Sequence, residues 1–151
     1  MTDEEKSKAH RWFAADCYNR TWTYMDNPGR TPDETQAMIE SCLASMHHWR
    51  FREDQNDEKR SIGFWQASRV YALAGNAQES LRYGELCLRH AANAEPFYRA
   101  YAHEALARAY GVQNDGDSRR RHVELGRAEA AMVTSEEDRE VVLNDLTGLG
   151  D

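Results

Sequence analysis

The sequence predicts an all-α domain of about seven helices, and three observations support this prediction. Val and Ile together account for only 8 of the 151 residues, whereas Ala, Leu, Glu and Arg dominate, a composition that favours helices over strands. Four segments place a capping residue three positions before a Glu, as helix starts do. No segment of strand length alternates apolar and polar residues. A chain of this length usually folds as one domain, so we expect residues 1–151 to form a single domain.

Start and stop signals give the boundaries of each predicted helix. The four cap signatures are Thr2 to Glu5, Thr31 to Glu34, Asn76 to Glu79, and Thr134 to Glu137. Pro32 and Pro96 suit first helical positions, where a missing backbone N–H costs nothing. Turns rich in Asn and Gly, such as the one at Gly75, end the helices. The predicted helices are 3–25, 32–53, 57–74, 77–93, 96–113, 117–132 and 135–146.

The short connections between these helices predict that consecutive helices pack as antiparallel neighbours. The expected arrangement is an N-terminal pair of long helices over 3–53, a second pair over 57–93, a third pair over 96–132, and a capping helix over 135–146. The apolar side of the capping helix would cover the open end of the third pair.

One pattern of residues occurs in both the second and the third pair. In the second pair it consists of Phe64, Ala67, Ser68, Tyr71, Gly75, Asn76, Ser80 and Cys87. In the third pair it consists of His103, Leu106, Ala107, Tyr110, Gly116, Asp117 and Ala128. This pattern resembles the tetratricopeptide repeat, with a spacing of 39 residues from Tyr71 to Tyr110 and 41 from Gly75 to Gly116. The resemblance implies helix pairs stacked as a short superhelix. The chain is also similar, around His47 to Trp49 and Trp65 to Tyr71, to a group of small bacterial proteins, a likeness that implies no activity.

The resemblance also implies a binding groove, because the first helix of each repeat lines the concave side in that family. The matching groove positions are Trp65, Arg69, Tyr101, Glu104 and Arg108. Four-residue spacing puts Trp65 beside Arg69 and Glu104 beside Arg108 on one helix face. Such a groove suits a protein or peptide partner, because Arg binds carboxylates and aromatic rings hold apolar side chains. We therefore predict a non-catalytic interaction module.

Two structural alternatives to the groove stay open. Trp65 could be a core residue, with Glu104 and Arg108 forming an ordinary helix ion pair. The long N-terminal helices could also fill the groove and make Arg69 and Glu104 a buried internal pair.

A second functional hypothesis is an enzyme that holds a metal or small molecule between helices at His48, His103 and Glu104. Local ligand spacing does not favour it, because the adjacent His47 and His48 diverge by about 100° on a helix and no H-E-x-x-H pair occurs. His48 is instead expected to be a hydrogen-bonded residue. No Gly-rich phosphate loop or G-x-S-x-G turn occurs either, so we predict no catalytic residue, no metal and no cofactor.

Charge and cysteine content limit the partners and the compartment. A net charge of −7 and a pI near 5.4 argue against nucleic-acid binding, and Arg119 to Arg121 form a shorter basic run than phosphate-binding patches do. No apolar run reaches the length of a membrane span, and the polar start predicts no secretory signal. Three cysteines without a C-x-x-C pair suit a reducing compartment, so we expect a cytoplasmic protein. A homodimer formed through exposed end helices is a third hypothesis.

Overall fold

The computed structural model describes residues 1–150 and contains seven α-helices and no strand within that range. The helices are α1 (Asp3–Met25), α2 (Pro32–Trp49), α3 (Asp57–Leu73), α4 (Ala77–Ala91), α5 (Pro96–Val112), α6 (Gly116–Ala130) and α7 (Glu136–Thr147). The prediction of an all-α chain is confirmed, and every predicted helix has a counterpart.

Helix starts follow the predicted cap chemistry at three of the four sites. The hydroxyl of Thr31 accepts the backbone N–H of Glu34 at 3.1 Å, and the Glu34 carboxylate accepts the backbone N–H of Thr31 at 2.8 Å. The same reciprocal box closes at Thr2, and the Asn76 side chain caps α4. These bonds satisfy backbone donors that a helix leaves without an internal partner.

The cap predicted at Thr134 is wrong. The residue that caps α7 is Ser135, whose hydroxyl accepts the backbone N–H of Asp138 at 3.3 Å. Ser135 and Asp138 have the same three-residue spacing as Thr134 and Glu137, one position later, so the sequence offers two equivalent registers. The extended segment before α7 is held by Arg139, which donates to the carbonyl of Val133 at 2.9 Å.

The second helix is shorter than predicted. It ends at Trp49, whereas the sequence predicted an end at residue 53. Beyond Trp49 the backbone forms tight turns, in which the N–H of Phe51 bonds to the carbonyl of His48 at 3.2 Å. The guanidinium of Arg52 lies 3.8 Å above the Trp49 ring and donates to both Asp54 oxygens at 2.8 and 2.7 Å. These side-chain contacts stabilise the turn over a further helical turn.

The chain divides into two compact units at the gap between α2 and α3. The first unit, Met1–Asn56, contains the hairpin of α1 and α2. Ala14 and Met38 are fully buried in it, and the buried hydroxyl of Ser45 donates to the carbonyl of Ala14 at 2.8 Å. The expectation of a single domain stays a prediction.

The second unit begins at Asp57 and is organised around α5. This helix packs against α3, α4, α6 and α7. Its buried residues therefore lie on several sides, and they are Ala100, Ala102, Glu104, Ala105, Leu106, Ala107 and Ala109. Small side chains let the neighbouring helices approach closely, and a Cβ added at Gly84 of α4 would lie only 2.9 Å from Cδ2 of Leu106.

The turns that join α3 to α4 and α5 to α6 have the same geometry. Gly75 has a φ of 77° and Asn114 a φ of 62°, the left-handed conformation that Gly and Asn tolerate best. In both turns the next residue, Asn76 or Asp115, caps the following helix. The backbone N–H of Asn76 donates to the carbonyl of Tyr71 at 2.9 Å, and that of Asp115 donates to the carbonyl of Tyr110 at 3.0 Å. The structural counterpart of Gly75 is therefore Asn114, 39 residues on, and not Gly116, which begins α6.

Candidate functional site

A fully buried carboxylate lies at the centre of the second unit. Glu104 of α5 is 0% exposed, yet both of its oxygens have partners. The indole Nε1 of Trp65 in α3 donates to Oε2 at 2.7 Å, and the guanidinium of Arg108 donates to Oε1. Four-residue spacing within α5 aligns Glu104 with Arg108, while the packing of α3 on α5 supplies Trp65. We call these three side chains the Glu104 network.

Taking a carboxylate out of water is costly, and the two partners of Glu104 offset this cost only while both are in place. The bonds therefore also fix the orientation of the partners. Both partners remain partly exposed, with 23% of the Arg108 side chain accessible. The Nε atom of Arg108 is buried and makes no hydrogen bond within residues 1–150. Glu104 thus fixes the positions of a partly exposed indole and a partly exposed guanidinium.

Aromatic and basic side chains extend the Glu104 network. The ring of Tyr101 meets the Trp65 ring edge-on, with centroids 5.7 Å apart. The Tyr101 hydroxyl donates to Asp145 of α7 at 2.7 Å, and burial together with this acceptor raises the pKa of Tyr101. The guanidinium of Arg69 lies 5.6 Å from the Trp65 ring centroid, within the range of a cation–π contact.

The structure thus brings the five residues of the predicted groove together across α3 and α5. Trp65, Arg69, Tyr101 and Arg108 are partly exposed, whereas Glu104 is buried. Glu104 therefore acts through its neighbours and does not offer a surface of its own. Sequence reasoning missed Asp145, which binds Tyr101 from a helix that was predicted only to cap the fold.

The residues of the alternative metal site have other partners. Nδ1 of His48 lies 2.8 Å from Nδ1 of His10 in the first unit, which agrees with the expectation that His48 is hydrogen-bonded. Nδ1 of His103 in the second unit lies 3.1 Å from Nδ1 of His122, while Glu104 belongs to the network above. Within residues 1–150, no group of three or more His, Cys, Asp or Glu side chains could hold a metal ion. The three-residue metal site stays a prediction that these contacts do not favour.

The cysteine thiols are poorly placed for nucleophilic chemistry. Burial raises the pKa of Cys42 to about 12 and also raises the pKa of Cys87. The pKa of the less buried Cys17 is raised as well, first by burial and then by Asp16. The thiolate is the reactive form of cysteine, so these thiols are weak nucleophiles at neutral pH.

Comparison with known proteins found no matching family model, no similar curated protein and no similar solved structure. None of the helices within residues 1–150 combines the length and apolar character that a bilayer crossing needs.

Proposed function

We propose that this chain is a non-catalytic interaction module, similar in architecture to tetratricopeptide repeats, that binds a peptide segment of a partner protein along α3 and α5. The binding surface consists of Trp65, Arg69, Tyr101 and Arg108, and Glu104 positions it from below. The observation that carries this proposal is the Glu104 network, in which a carboxylate with 0% exposure orients two partly exposed side chains.

The cost of burying Glu104 favours a functional role over a purely structural one. Well-packed apolar residues can replace a buried ion pair without loss of stability, so such a pair is weak evidence for a stabilising role. A carboxylate that fixes a partly exposed Trp and a partly exposed Arg, in contrast, positions two of the three residue types most enriched among strong binding contacts. Preorganised side chains also lose less conformational entropy when a partner binds.

The repeat architecture has two lines of support within the chain. The α3–α4 and α5–α6 turns share one geometry at a 39-residue offset, which also relates Arg69 to Arg108. In addition, α5 packs on both helices of the preceding hairpin, and α7 packs on both α5 and α6. Stacking of this kind extends one helix face across successive pairs.

The chemistry of the surface defines the partner. Arg108 donates one Nη2–H to Glu104 and has further N–H donors that can bind a carboxylate. The rings of Trp65 and Tyr101 offer an apolar contact beside it. The partner segment would therefore contain an acidic residue next to a large apolar one. Three free thiols, two of them buried, favour a reducing cytoplasmic setting.

Selection from a displayed peptide library tests this proposal. We expect the wild-type chain to select peptides in which an acidic residue neighbours an aromatic or aliphatic one. Arg108→Lys keeps a positive charge beside Glu104 but loses the planar fork, so the selected peptides should bind it at least tenfold more weakly. Arg89→Lys is the matched control, because Arg89 is an exposed residue of α4 outside the surface. The proposal would be rejected if no consensus peptide is selected, or if the selected peptides bind Arg108→Lys and the control Arg89→Lys with equal affinity.

A further inference from the structure

Two imidazoles face each other between α5 and α6. The Nδ1 atoms of His103 and His122 are 3.1 Å apart, and their ring centroids are 5.3 Å apart. For a given Nδ1–Nδ1 distance, the centroids are farthest apart when both nitrogens lie on the line that joins the centroids. The observed centroid distance is close to that maximum, so the two nitrogen atoms point at each other. This is the geometry of an N–H···N hydrogen bond, in which one Nδ1 donates and the other accepts. Two nitrogen ligands of one metal ion would instead converge on it at an angle.

Packing alone does not require imidazoles at these two positions. The counterparts of His103 and His122, 39 residues earlier, are Phe64 and Tyr83, whose centroids lie 6.1 Å apart. The interplanar angle is 28° for Phe64 and Tyr83 and 29° for the histidine pair. A tyrosine of the first helix stacks on the second ring in both hairpins, at 5.5 Å in one and 5.4 Å in the other. The fold therefore accepts Phe and Tyr in this place, and the histidines add a group that can be protonated.

The surroundings favour the neutral form of both imidazoles. Burial, followed by the effect of His122, lowers the pKa of His103 to about 4, and Glu129 of α6 opposes this shift. Burial and the neighbouring Arg121 lower the pKa of His122. The charged groups that act on the pair are thus Glu129 and Arg121, both of α6. Both rings are therefore uncharged at neutral pH, with one proton between the facing nitrogens.

We propose that the His103–His122 pair is a proton-operated latch, which holds α6 against α5 near neutral pH and releases it in acid. On acidification the accepting Nδ1 takes a proton from solvent. Both facing nitrogens then carry a hydrogen and the accepting ring a positive charge, so the hydrogen bond is replaced by repulsion between the two N–H groups. The donating ring gains its own charge only when its Nε2 takes a second proton, and the rings must turn towards water. The latch concerns only the packing of α6 on α5 and does not depend on the proposed binding function.

The direction of the pH effect follows from the sign of the shifts. A histidine whose pKa is lowered in the folded state stabilises that state above its unfolded pKa of about 6.5. This stabilisation is lost as the pH falls from about 6.5 towards the folded value, which is about 4 for His103. The latch therefore weakens across the interval from pH 6.5 to 4.

Amide hydrogen exchange at pH 7 and pH 4.5 tests the latch in the full chain. The informative variant is the double substitution His103→Phe and His122→Tyr, which installs the ring pair that the α3–α4 hairpin already uses. After correction for intrinsic exchange, acid should lower the protection of α6 about tenfold more in the wild type than in the double variant. Equal losses in the two proteins would show that the pair does not hold α6.

A titration of the wild-type histidine ring protons by NMR keeps the test independent of how the variant folds. We expect both His103 and His122 to titrate well below the ordinary pKa of histidine. Titration of either ring near 6.5 would overturn the latch, because the facing nitrogens would then already be protonated where the fold is intact.

Discussion

The Glu104 network makes its sharpest prediction for the variant Arg108→Ala. The substitution removes the cation and leaves a carboxylate of 0% exposure with the Trp65 indole as its remaining partner in the network. Breaking a buried ion pair costs about 3–5 kcal/mol. Because 23% of the Arg108 side chain is exposed, water can enter the vacated space and solvate Oε1 in part. We therefore expect a loss of about 2–3 kcal/mol in the free energy of unfolding.

A second ion pair of the chain supplies the matched control. Asp16 and Arg20 have the same four-residue spacing in α1, with a distance of 2.8 Å, but their side chains are 31% and 57% exposed. Exposed pairs of this kind contribute only about 0.3–0.5 kcal/mol. Arg20→Ala should therefore leave stability almost unchanged, and the contrast between the two variants measures the effect of burial.

Urea unfolding followed by far-UV circular dichroism gives the free energies. A loss of 2–3 kcal/mol corresponds to a midpoint shift of about 1 M urea for a protein of this size. Glu104→Gln removes the charge but keeps an acceptor for the Trp65 indole, so adding it to Arg108→Ala should restore at least about 1 kcal/mol. If Arg108→Ala costs no more than Arg20→Ala, or if Glu104→Gln restores nothing, the carboxylate does not depend on Arg108 and the reasoning is refuted.

Two further predictions concern close packing and thiol access. Gly84→Ala should lower the free energy of unfolding by about 1 kcal/mol, because overpacking against Leu106 outweighs the better helix propensity of Ala. Gly111→Ala, whose new Cβ would meet its nearest atom at 3.5 Å, should raise the free energy of unfolding by about 0.5 kcal/mol. Thermal unfolding of the two variants checks these opposite signs, and stabilisation by Gly84→Ala would contradict the close packing at that glycine. A thiol reagent should modify the native chain mainly at Cys17, because the other two cysteines are buried. All three thiols should react only after unfolding, and rapid modification of more than one thiol in the native chain would contradict the burial of Cys42 and Cys87.

Local signals in the sequence were sufficient to predict the helices but not every boundary. Cap residues and prolines act within one turn of the chain, so the start of α2 at Pro32 is where the sequence predicted it. The end of α2 depends on the stacking of Arg52 on Trp49 and its pairing with Asp54, which no local rule predicts. The start of α7 was missed because Ser135 and Thr134 offer equivalent caps one residue apart.

The burial of Glu104 could not be read from residue type, because glutamate is ordinarily exposed. A signal was nevertheless present in α5, where alanines lie on two opposite sides of the helix between Ala100 and Ala109. A helix with small apolar residues on opposite sides packs against neighbours on both of them, so a glutamate between those sides is buried and needs partners. The sequence correctly grouped Glu104 with Arg108, but only the packing of α3 on α5 adds the Trp65 bond.

The histidine pair was missed for a different reason. Aligning Gly75 with Gly116 requires two extra residues in the second turn and shifts α6 out of register with α4. Aligning Gly75 with Asn114 keeps one offset of 39 residues throughout, and it places His122 opposite His103 as Tyr83 is opposite Phe64. Asn takes the left-handed conformation often enough to replace Gly in such a turn.

The most direct test of the proposed binding surface is the affinity of a peptide selected on the wild-type chain, measured by titration calorimetry against the wild type and Arg108→Lys. We expect at least tenfold weaker binding by the variant at nearly unchanged stability, because lysine still neutralises Glu104 but cannot present the planar guanidinium. Equal affinity of the two proteins would contradict the proposed binding surface, since the guanidinium that Glu104 orients would then take no part in binding.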